Sequence, residues 1–119
     1  MNIEKKILIV DDEKTLCELY TEMLEEEGFQ VFYAFNGQSA LDIFKEKKPD
    51  LVLLDVKMPE MDGFEVLVRM KEINKNAAIV MMTCGAQDRA KEAAKLKAYD
   101  YIEKPTRLKD LMKIVTRRE

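Results

Sequence analysis

Residues 49–59 read PDLVLLDVKMP, in which four successive apolar residues, Leu51–Leu54, are followed at once by Asp55. An apolar run without alternation is typical of a strand that is covered on both faces. Such strands belong to parallel sheets, where helices pack on either side. The run therefore predicts a strand of a parallel sheet with an aspartate at its carboxyl end.

Four more apolar runs alternate with segments in which apolar residues recur at helical spacing. The predicted strands are Ile7–Val10, Phe29–Ala34, Leu51–Leu54, Ala78–Met82 and Tyr99–Ile102. The predicted helices are one that precedes Gly28 and those near Gln38–Lys47, Phe64–Ile73, Gln87–Leu96 and Leu108–Arg117. Because crossovers between parallel strands are right-handed, this (βα)5 alternation predicts an α/β fold. The expected architecture is a doubly wound, five-stranded parallel sheet of order 2-1-3-4-5, flanked by five helices.

The first helix is predicted from a set of apolar residues at helical spacing. Its members are Leu16, Leu19, Met23 and Leu24. We expect these residues to form the face that packs on the sheet. Gly28 follows the acidic last turn and is expected to end the helix in the left-handed conformation, which glycine adopts without a steric penalty.

The composition excludes several classes of protein. The chain has 119 residues, which fits one domain, and 36% of them are charged, with a net charge of −3. It has no dense basic stripe, so direct binding to nucleic acid is not expected. Cys17 and Cys84 lack metal-ligand spacing, and there is no histidine to complete a zinc site. The apolar run Ile7–Val10 is too short for a signal peptide or a membrane span, so we expect a cytoplasmic protein without membrane association.

Polar residues stand where the predicted strands end. Asp11 and Asp12 follow the first strand, Asp55 follows the third, Thr83 the fourth and Lys104 the fifth. In a doubly wound sheet, ligands bind at the carboxyl ends of the strands. These five residues are therefore expected to converge on one site.

The three aspartates of this set predict a metal centre. Carboxylates a few ångströms apart repel one another unless a cation lies among them. Oxygen ligands alone favour a hard ion, and a site with few carboxylates and room for water suits Mg²⁺, or Mn²⁺, better than Ca²⁺. We therefore expect Asp11, Asp12 and Asp55 to hold Mg²⁺.

Phosphoryl transfer to a carboxylate is the chemistry that suits this set of groups. Asp55 would attack phosphorus, while the metal and the Lys104 ammonium would neutralise charge on the phosphoryl oxygens. The Thr83 hydroxyl would supply a hydrogen bond on the other side. Any one of these features alone is more often a helix-terminal charge or a plain turn, so the prediction depends on their occurring together.

Three segments resemble the receiver domain of bacterial two-component response regulators, which has a flavodoxin-like fold. They are residues 7–13 (ILIVDDE), residues 49–63 (PDLVLLDVKMPEMDG) and Lys104-Pro105. The resemblance covers essentially the whole chain, so residues 1–119 are expected to form one receiver domain without an output domain. The chain would then be a stand-alone receiver or a part of a longer regulator.

The resemblance implies a role for each matching residue. Asp55 would be the phosphoacceptor, and Asp12, Asp55 and the backbone carbonyl of Lys57 would ligate Mg²⁺, with Asp11 acting through a bound water. Thr83 and Tyr101 would be the switch residues, and Lys104-Pro105 would be a cis peptide. Such a protein catalyses only its own phosphorylation and slow dephosphorylation, and is not otherwise an enzyme.

The resemblance also implies partners. A sensor histidine kinase or a histidine phosphotransfer protein would donate the phosphoryl group, docking near Thr15, Glu18, Pro105 and Thr106. Phosphorylation would reshape the face formed by the fourth helix, fifth strand and fifth helix, for a downstream protein that the sequence does not identify. The protein would be a monomer or a phosphorylation-dependent dimer.

The sequence departs from the family pattern after Thr83, where Cys84 and Gly85 replace the usual residues. In this family the residue two positions past the threonine flanks the path of the hydrolysing water. The small Gly85 would leave that path open, which predicts a short-lived phosphoryl group.

Three other classes of protein were weighed. A phosphatase of the haloacid dehalogenase type needs a second aspartate two residues after the nucleophile, and this position is Lys57. A flavodoxin-like cofactor carrier needs a phosphate loop after the first strand, where Asp11 and Asp12 would repel the phosphate. A receiver-like binding module that never turns over phosphate stays open as the alternative.

Overall fold

The computed structural model describes residues 5–56, 58, 61–83, 100–103, 110 and 112–113. The predicted fourth helix, Gln87–Leu96, lies outside the described residues, as does most of the predicted fifth helix. Three residues of that last segment, Asp110, Met112 and Lys113, are described and are helical.

The described strands form one parallel sheet in the order β2-β1-β3-β4-β5. The strands are β1 (Lys6–Val10), β2 (Gln30–Ala34), β3 (Leu51–Asp55), β4 (Ile79–Thr83) and β5 (Asp100–Glu103). The helices are α1 (Lys14–Glu26), α2 (Gly37–Lys47) and α3 (Gly63–Ile73). The predicted fold class and strand order are thereby confirmed, and each strand differs from its predicted bounds by one residue at one or both ends.

Apolar residues cover both faces of the sheet, as the unbroken runs predict. On one face Leu8, Val10, Val52 and Leu54 pack with buried residues of α2 and α3. On the opposite face lie Ile7, Ile9, Leu51 and Leu53, together with buried residues of α1. Each fully buried side chain of this kind contributes about 2 kcal/mol relative to an exposed one, so β1 and β3 form the centre of the core.

The predicted inward face of α1 was partly wrong. The buried residues of the helix are Cys17, Tyr20 and Leu24, whereas Leu19 is 50% exposed. The face that packs on the sheet is therefore turned by one residue from the predicted stripe. Leu16 and Met23 lie at its margins, where they are partly buried.

The end of α1 follows the prediction for Gly28, whose φ is +95°. The amide of Phe29 donates to the Leu24 carbonyl at 3.2 Å, and the amide of Gly28 donates to the Glu25 carbonyl at 3.0 Å. This pair of hydrogen bonds is a Schellman motif, which satisfies carbonyls that the end of a helix leaves without intrahelical partners.

Side chains cap the other two helices at their amino ends. The Asn36 side chain accepts from the Ser39 amide at 2.9 Å at the start of α2, and the Asp62 side chain accepts from the Glu65 amide at 3.1 Å at the start of α3. Such caps satisfy amides that have no intrahelical partner. At the other end of α2, Lys48 adopts the left-handed conformation, with φ of 50° and ψ of 60°. None of the helices in the described part of the chain is both long and apolar enough to span a membrane.

Candidate metal centre

The carboxyl ends of β1 and β3 bring the three predicted aspartates together. In the register of the two strands Val10 lies beside Leu54, so Asp11 and Asp55, the next residue along each chain segment, meet at one edge of the sheet. One carboxylate oxygen from each of Asp11, Asp12 and Asp55 lies within 4.8 Å of the others. The aspartate cluster expected from the sequence is therefore present.

The three carboxylates differ in their exposure. The Asp11 side chain is completely buried, and Asp55 is 5% exposed, whereas Asp12 faces solvent. Two buried carboxylates at this distance lose hydration and repel each other. Asp12 leaves the cluster open on one side, where a ligand can enter from solvent.

Hydrogen bonds with other described residues hold Asp11 in place. Its amide donates to the Ala34 carbonyl at 3.1 Å, which continues the ladder between β1 and β2 past the last strand residue. Its carboxylate accepts from the Glu13 amide at 3.0 Å. Its carbonyl accepts from the Cys17 thiol at 3.3 Å. The turn from β1 into α1 is thus built around this aspartate.

Asp55 is the last residue of β3. The backbone of the next residue, Val56, forms hydrogen bonds with β4 on one side and with the start of α3 on the other. The amide of Val56, the next residue, donates to the Met82 carbonyl of β4 at 2.9 Å. The carbonyl of Val56 accepts from the Gly63 amide at 2.8 Å. The start of α3 therefore lies directly against the end of β3.

Gly63 has no room for a side chain. A Cβ at this position would lie 2.8 Å from the Val56 Cα and 2.9 Å from the Asp55 carbonyl carbon. Contacts this short with backbone atoms cannot be relieved by a rotamer change. Close approach of the two segments therefore requires glycine at position 63.

The donor set fits a hard divalent cation. All three side chains offer carboxylate oxygens, which suit Mg²⁺ or Mn²⁺. A cation here would compensate the two buried charges, and the exposed side at Asp12 leaves positions for water or a phosphoryl oxygen. The metal candidates from the sequence are thus consistent with the arrangement of the aspartates.

Of the other predicted site residues, the structure gives the strand pairing of Thr83 and Tyr101. Thr83 is the last residue of β4 and pairs with Glu103 of β5, so the backbone brings β4 and β5 to the same edge as Asp55. Tyr101 lies within β5, opposite Met81. Lys104 directly follows Glu103 in the sequence but lies outside the described residues, as do Lys57, Gly85, Pro105 and Thr106.

One detail of the prediction was wrong. Asp55 and Thr83 were expected to follow their strands, but each is the last strand residue. The cause is that the backbone ladder continues for one residue beyond the apolar run. The residues keep their place at the carboxyl edge, so the site is unchanged.

Sequence reasoning missed the supporting contacts of Glu13, Cys17 and Gly63. The hydrogen bonds of Glu13 and Cys17 with Asp11 depend on the geometry of the turn between β1 and α1, which residue types alone do not fix. Gly63 follows an aspartate at the start of a predicted helix, and this pattern signals only a helix cap. Its close contact with β3 is visible only in three dimensions.

Comparisons with known proteins agree with this geometry. The family model described as response regulator receiver domain matches residues 7–116. The chain is 46% identical over 104 residues to sporulation initiation phosphotransferase F of Bacillus subtilis, covering 87% of this chain and 84% of the relative. It is 38% identical over 113 residues to chemotaxis protein CheY of Halobacterium salinarum, covering 94% of each.

A solved structure has the same architecture. A response regulator receiver domain protein from Clostridium thermocellum superimposes with a TM-score of 0.90 at 33% identity, covering 95% of this chain and 92% of that one. The protein thus belongs to the response regulator receiver domain family. It is a receiver domain of the two-component signalling type, which is consistent with a place in a phosphorelay.

Proposed function

We propose that the protein accepts a phosphoryl group on Asp55 in a reaction that depends on Mg²⁺. The observation that carries the proposal is the meeting of Asp11, Asp12 and Asp55 at one edge of the sheet, with their carboxylate oxygens within 4.8 Å. An oxygen of Asp55 forms a bond to phosphorus while the bond between phosphorus and the donor atom breaks. The product is an acyl phosphate at the carboxyl end of β3.

In this proposal the three aspartates hold the ion in different ways. Asp12 and Asp55 would be the direct ligands together with the Lys57 carbonyl, and Asp11 would act through a bound water. When bound, the ion neutralises charge that develops on the phosphoryl oxygens. The hydrogen bond from the Glu13 amide keeps Asp11 oriented towards the cluster, so little reorganisation is needed when the ion enters.

Lys104 and Thr83 complete the site in this proposal. The Lys104 ammonium pairs with a phosphoryl oxygen, and the Thr83 hydroxyl donates a hydrogen bond to another. Tyr101 then changes its position together with Thr83. Phosphorylation thereby alters the surface formed by β5 and its neighbouring helices. This is a two-state switch in which a local change of charge alters a protein surface.

The phosphoryl donor is a sensor histidine kinase or a histidine phosphotransfer protein. One relative is named a sporulation initiation phosphotransferase, which supports a place in a phosphorelay. Thr15 and Glu18 lie on the exposed side of α1, where a donor that reaches Asp55 can contact them. The downstream partner binds the switched face.

The test uses the whole chain with acetyl phosphate and Mg²⁺, followed by intact mass measurement. The parent is expected to gain the mass of one phosphoryl group, and an Asp55→Asn variant and a sample with chelator are expected to gain none. If the folded parent gains no mass, the proposal fails and the domain is a binding module without phosphate turnover. Glu22→Gln, which removes an exposed carboxylate from α1, serves as the matched control and should react as the parent does.

A further inference from the structure

A cleft of about 220 Å³ lies between the carboxyl ends of α2 and α3. Its lining consists of Phe44, Lys45, Lys48, Pro49, Ile73 and Asn74. Because each helix runs back from the carboxyl edge of the sheet to the amino edge, the cleft lies at the opposite end of the domain from the aspartate cluster. A ligand there would leave Asp55 accessible.

The walls of the cleft combine apolar and cationic groups. Phe44 is 4% exposed and belongs to the core, so it offers a fixed apolar surface. Ile73 is 44% exposed, which is unusual among the large aliphatic residues that the structure describes. Lys45 and Lys48 stand at the solvent side, where both are exposed. Among the described residues that line the cleft, none carries a carboxylate.

The neighbouring lysines are engaged elsewhere, so the charge of the cleft comes from Lys45 and Lys48. The Lys47 ammonium pairs with Glu46 at 3.4 Å and lies 5.6 Å from the centre of the Phe32 ring. The Lys6 ammonium donates to the Lys47 carbonyl at 3.3 Å. That last contact also reduces the partial negative charge at the end of α2, which would otherwise disfavour an anion.

Other helix-end carbonyls at the cleft also have donors. The Phe44 carbonyl accepts from the Lys48 amide at 3.1 Å, and the Met70 carbonyl accepts from the Asn74 amide at 2.8 Å. Two positive side chains therefore act on a site near which three backbone oxygens, those of Phe44, Lys47 and Met70, already accept hydrogen bonds. An anionic group bound at the rim would be stabilised by electrostatic attraction to both lysines.

The volume indicates what can enter. Sites for drug-sized ligands usually measure about 300–1,000 Å³, which is larger than this cleft. A cavity of about 150 Å³ holds one benzene ring. A space of about 220 Å³ therefore suits a single aromatic side chain, and the flanking segments of its chain would lie across the rim.

We propose that the cleft binds a segment of a partner protein in which one aromatic residue is flanked by carboxylates. The ring enters between Phe44 and Ile73, and the carboxylates lie beside Lys45 and Lys48. Such an anchor in a pocket is typical of the centre of a protein interface. The site is independent of the phosphoacceptor, so binding is expected whether or not Asp55 can react.

The test titrates the whole, isotopically labelled chain with a capped pentapeptide that carries one phenylalanine between two pairs of acidic residues. Amide shifts measured by nuclear magnetic resonance are expected to concentrate at residues 44–48 and 73–74. A double variant with Lys45→Glu and Lys48→Glu should bind about tenfold more weakly, because the rim then repels the peptide. A double variant with Lys14→Glu and Lys113→Glu makes the same change of charge on exposed lysines outside the cleft lining. It is the matched control and should bind as the parent does.

Five results would overturn the proposal. The first three are the absence of shifts at the cleft with millimolar peptide, equal binding of a peptide with alanine in place of phenylalanine, and equal binding of a peptide with lysines in place of the acidic residues. The fourth is binding of free 3-phenylpropionate as tight as that of the peptide, which would make the cleft a small-molecule site. The same shifts on raising the concentration of the protein alone would indicate a second copy as the occupant, and would also reject the proposed partner.

Discussion

Gly63 lies against the backbone of Asp55 so closely that no side chain fits between them. A Cβ on Gly63 would lie 2.9 Å from the Asp55 carbonyl carbon. The amide of Gly63 also donates to the carbonyl of Val56, the residue after Asp55, at 2.8 Å. The first turn of α3 and the proposed phosphoacceptor are therefore coupled through a backbone contact.

Gly63→Ala is expected to lower the free energy of unfolding by about 1–3 kcal/mol, since the added methyl group overpacks a backbone contact. The shift of β3 relative to α3 should also move Asp55, so acetyl phosphate should label the folded variant more slowly than the parent. Urea unfolding and intact mass measure the two effects. A variant with parental stability and a parental labelling rate would contradict the close contact.

Gly28→Ala tests the end of α1, where the backbone conformation rather than packing is the constraint. No atom lies within 4 Å of a Cβ at this position, but φ is +95°. Alanine is strained in that conformation, and we expect a loss of about 1 kcal/mol in the free energy of unfolding. Labelling of Asp55 should be unaffected, which separates this variant from Gly63→Ala. Equal stability of parent and variant in urea would refute the Schellman motif.

Lys48→Gly should stabilise the protein, by about 0.5 kcal/mol. Lys48 has φ of 50° at the end of α2, and the relief of that strain exceeds the entropic cost of glycine. Lys45→Gly, the same replacement inside the helix, is the matched control and should destabilise by about 1 kcal/mol. Thermal and urea unfolding of both variants measure whether each replacement raises or lowers the free energy of unfolding. Two variants that change stability in the same direction would argue against the left-handed end of α2.

The strands β1, β3 and β4 were predictable because each predicted segment is an unbroken apolar run, whereas the segments for β2 and β5 contain Gln30 and Asp100. Leu51–Leu54 has no polar residue, and a strand covered on both faces is the simplest way to bury it. The last strand residue was missed because Asp55 continues the ladder although its side chain is charged. Hydrogen bonding of the backbone, which sets the end of a strand, does not depend on the polarity of the side chain.

The inward face of α1 was harder to predict because two stripes compete. Leu19 gives one stripe its apolar character, but Tyr20 and Cys17 are the residues that the sheet covers. Which of the two stripes is buried depends on the direction in which α1 crosses the sheet. The spacing of apolar residues within the helix does not determine that direction. The candidate site was more predictable than this face, because parallel strands bring their carboxyl ends to one edge whatever the rotation of the helices.

Gly85→Tyr should prolong the phosphorylated state, if the path of the hydrolysing water passes residue 85 as the family resemblance implies. Glycine leaves that path open, whereas a tyrosine side chain would obstruct it. Decay of the phosphoprotein after removal of acetyl phosphate, followed by intact mass, is expected to slow severalfold. Gly85→Ala, which adds one methyl group, should decay at nearly the parental rate. A tyrosine variant that loses phosphate as fast as the parent would reject an effect of residue 85 on hydrolysis.

Asp12→Asn should weaken Mg²⁺ binding about tenfold or more, because it removes one charge from a site of three carboxylates. Asp12 is exposed, so the fold is expected to tolerate the change, and the rise in melting temperature that Mg²⁺ causes in the parent should shrink with the loss of affinity. Calorimetric titration with Mg²⁺ measures the affinity without any phosphoryl donor. Glu22→Gln loses the same charge on the surface of α1 and should retain parental affinity, which distinguishes direct ligation from a general effect of charge. Parental affinity in Asp12→Asn would remove Asp12 from the metal centre and leave Asp11 and Asp55 as the carboxylates that hold the ion, directly or through water.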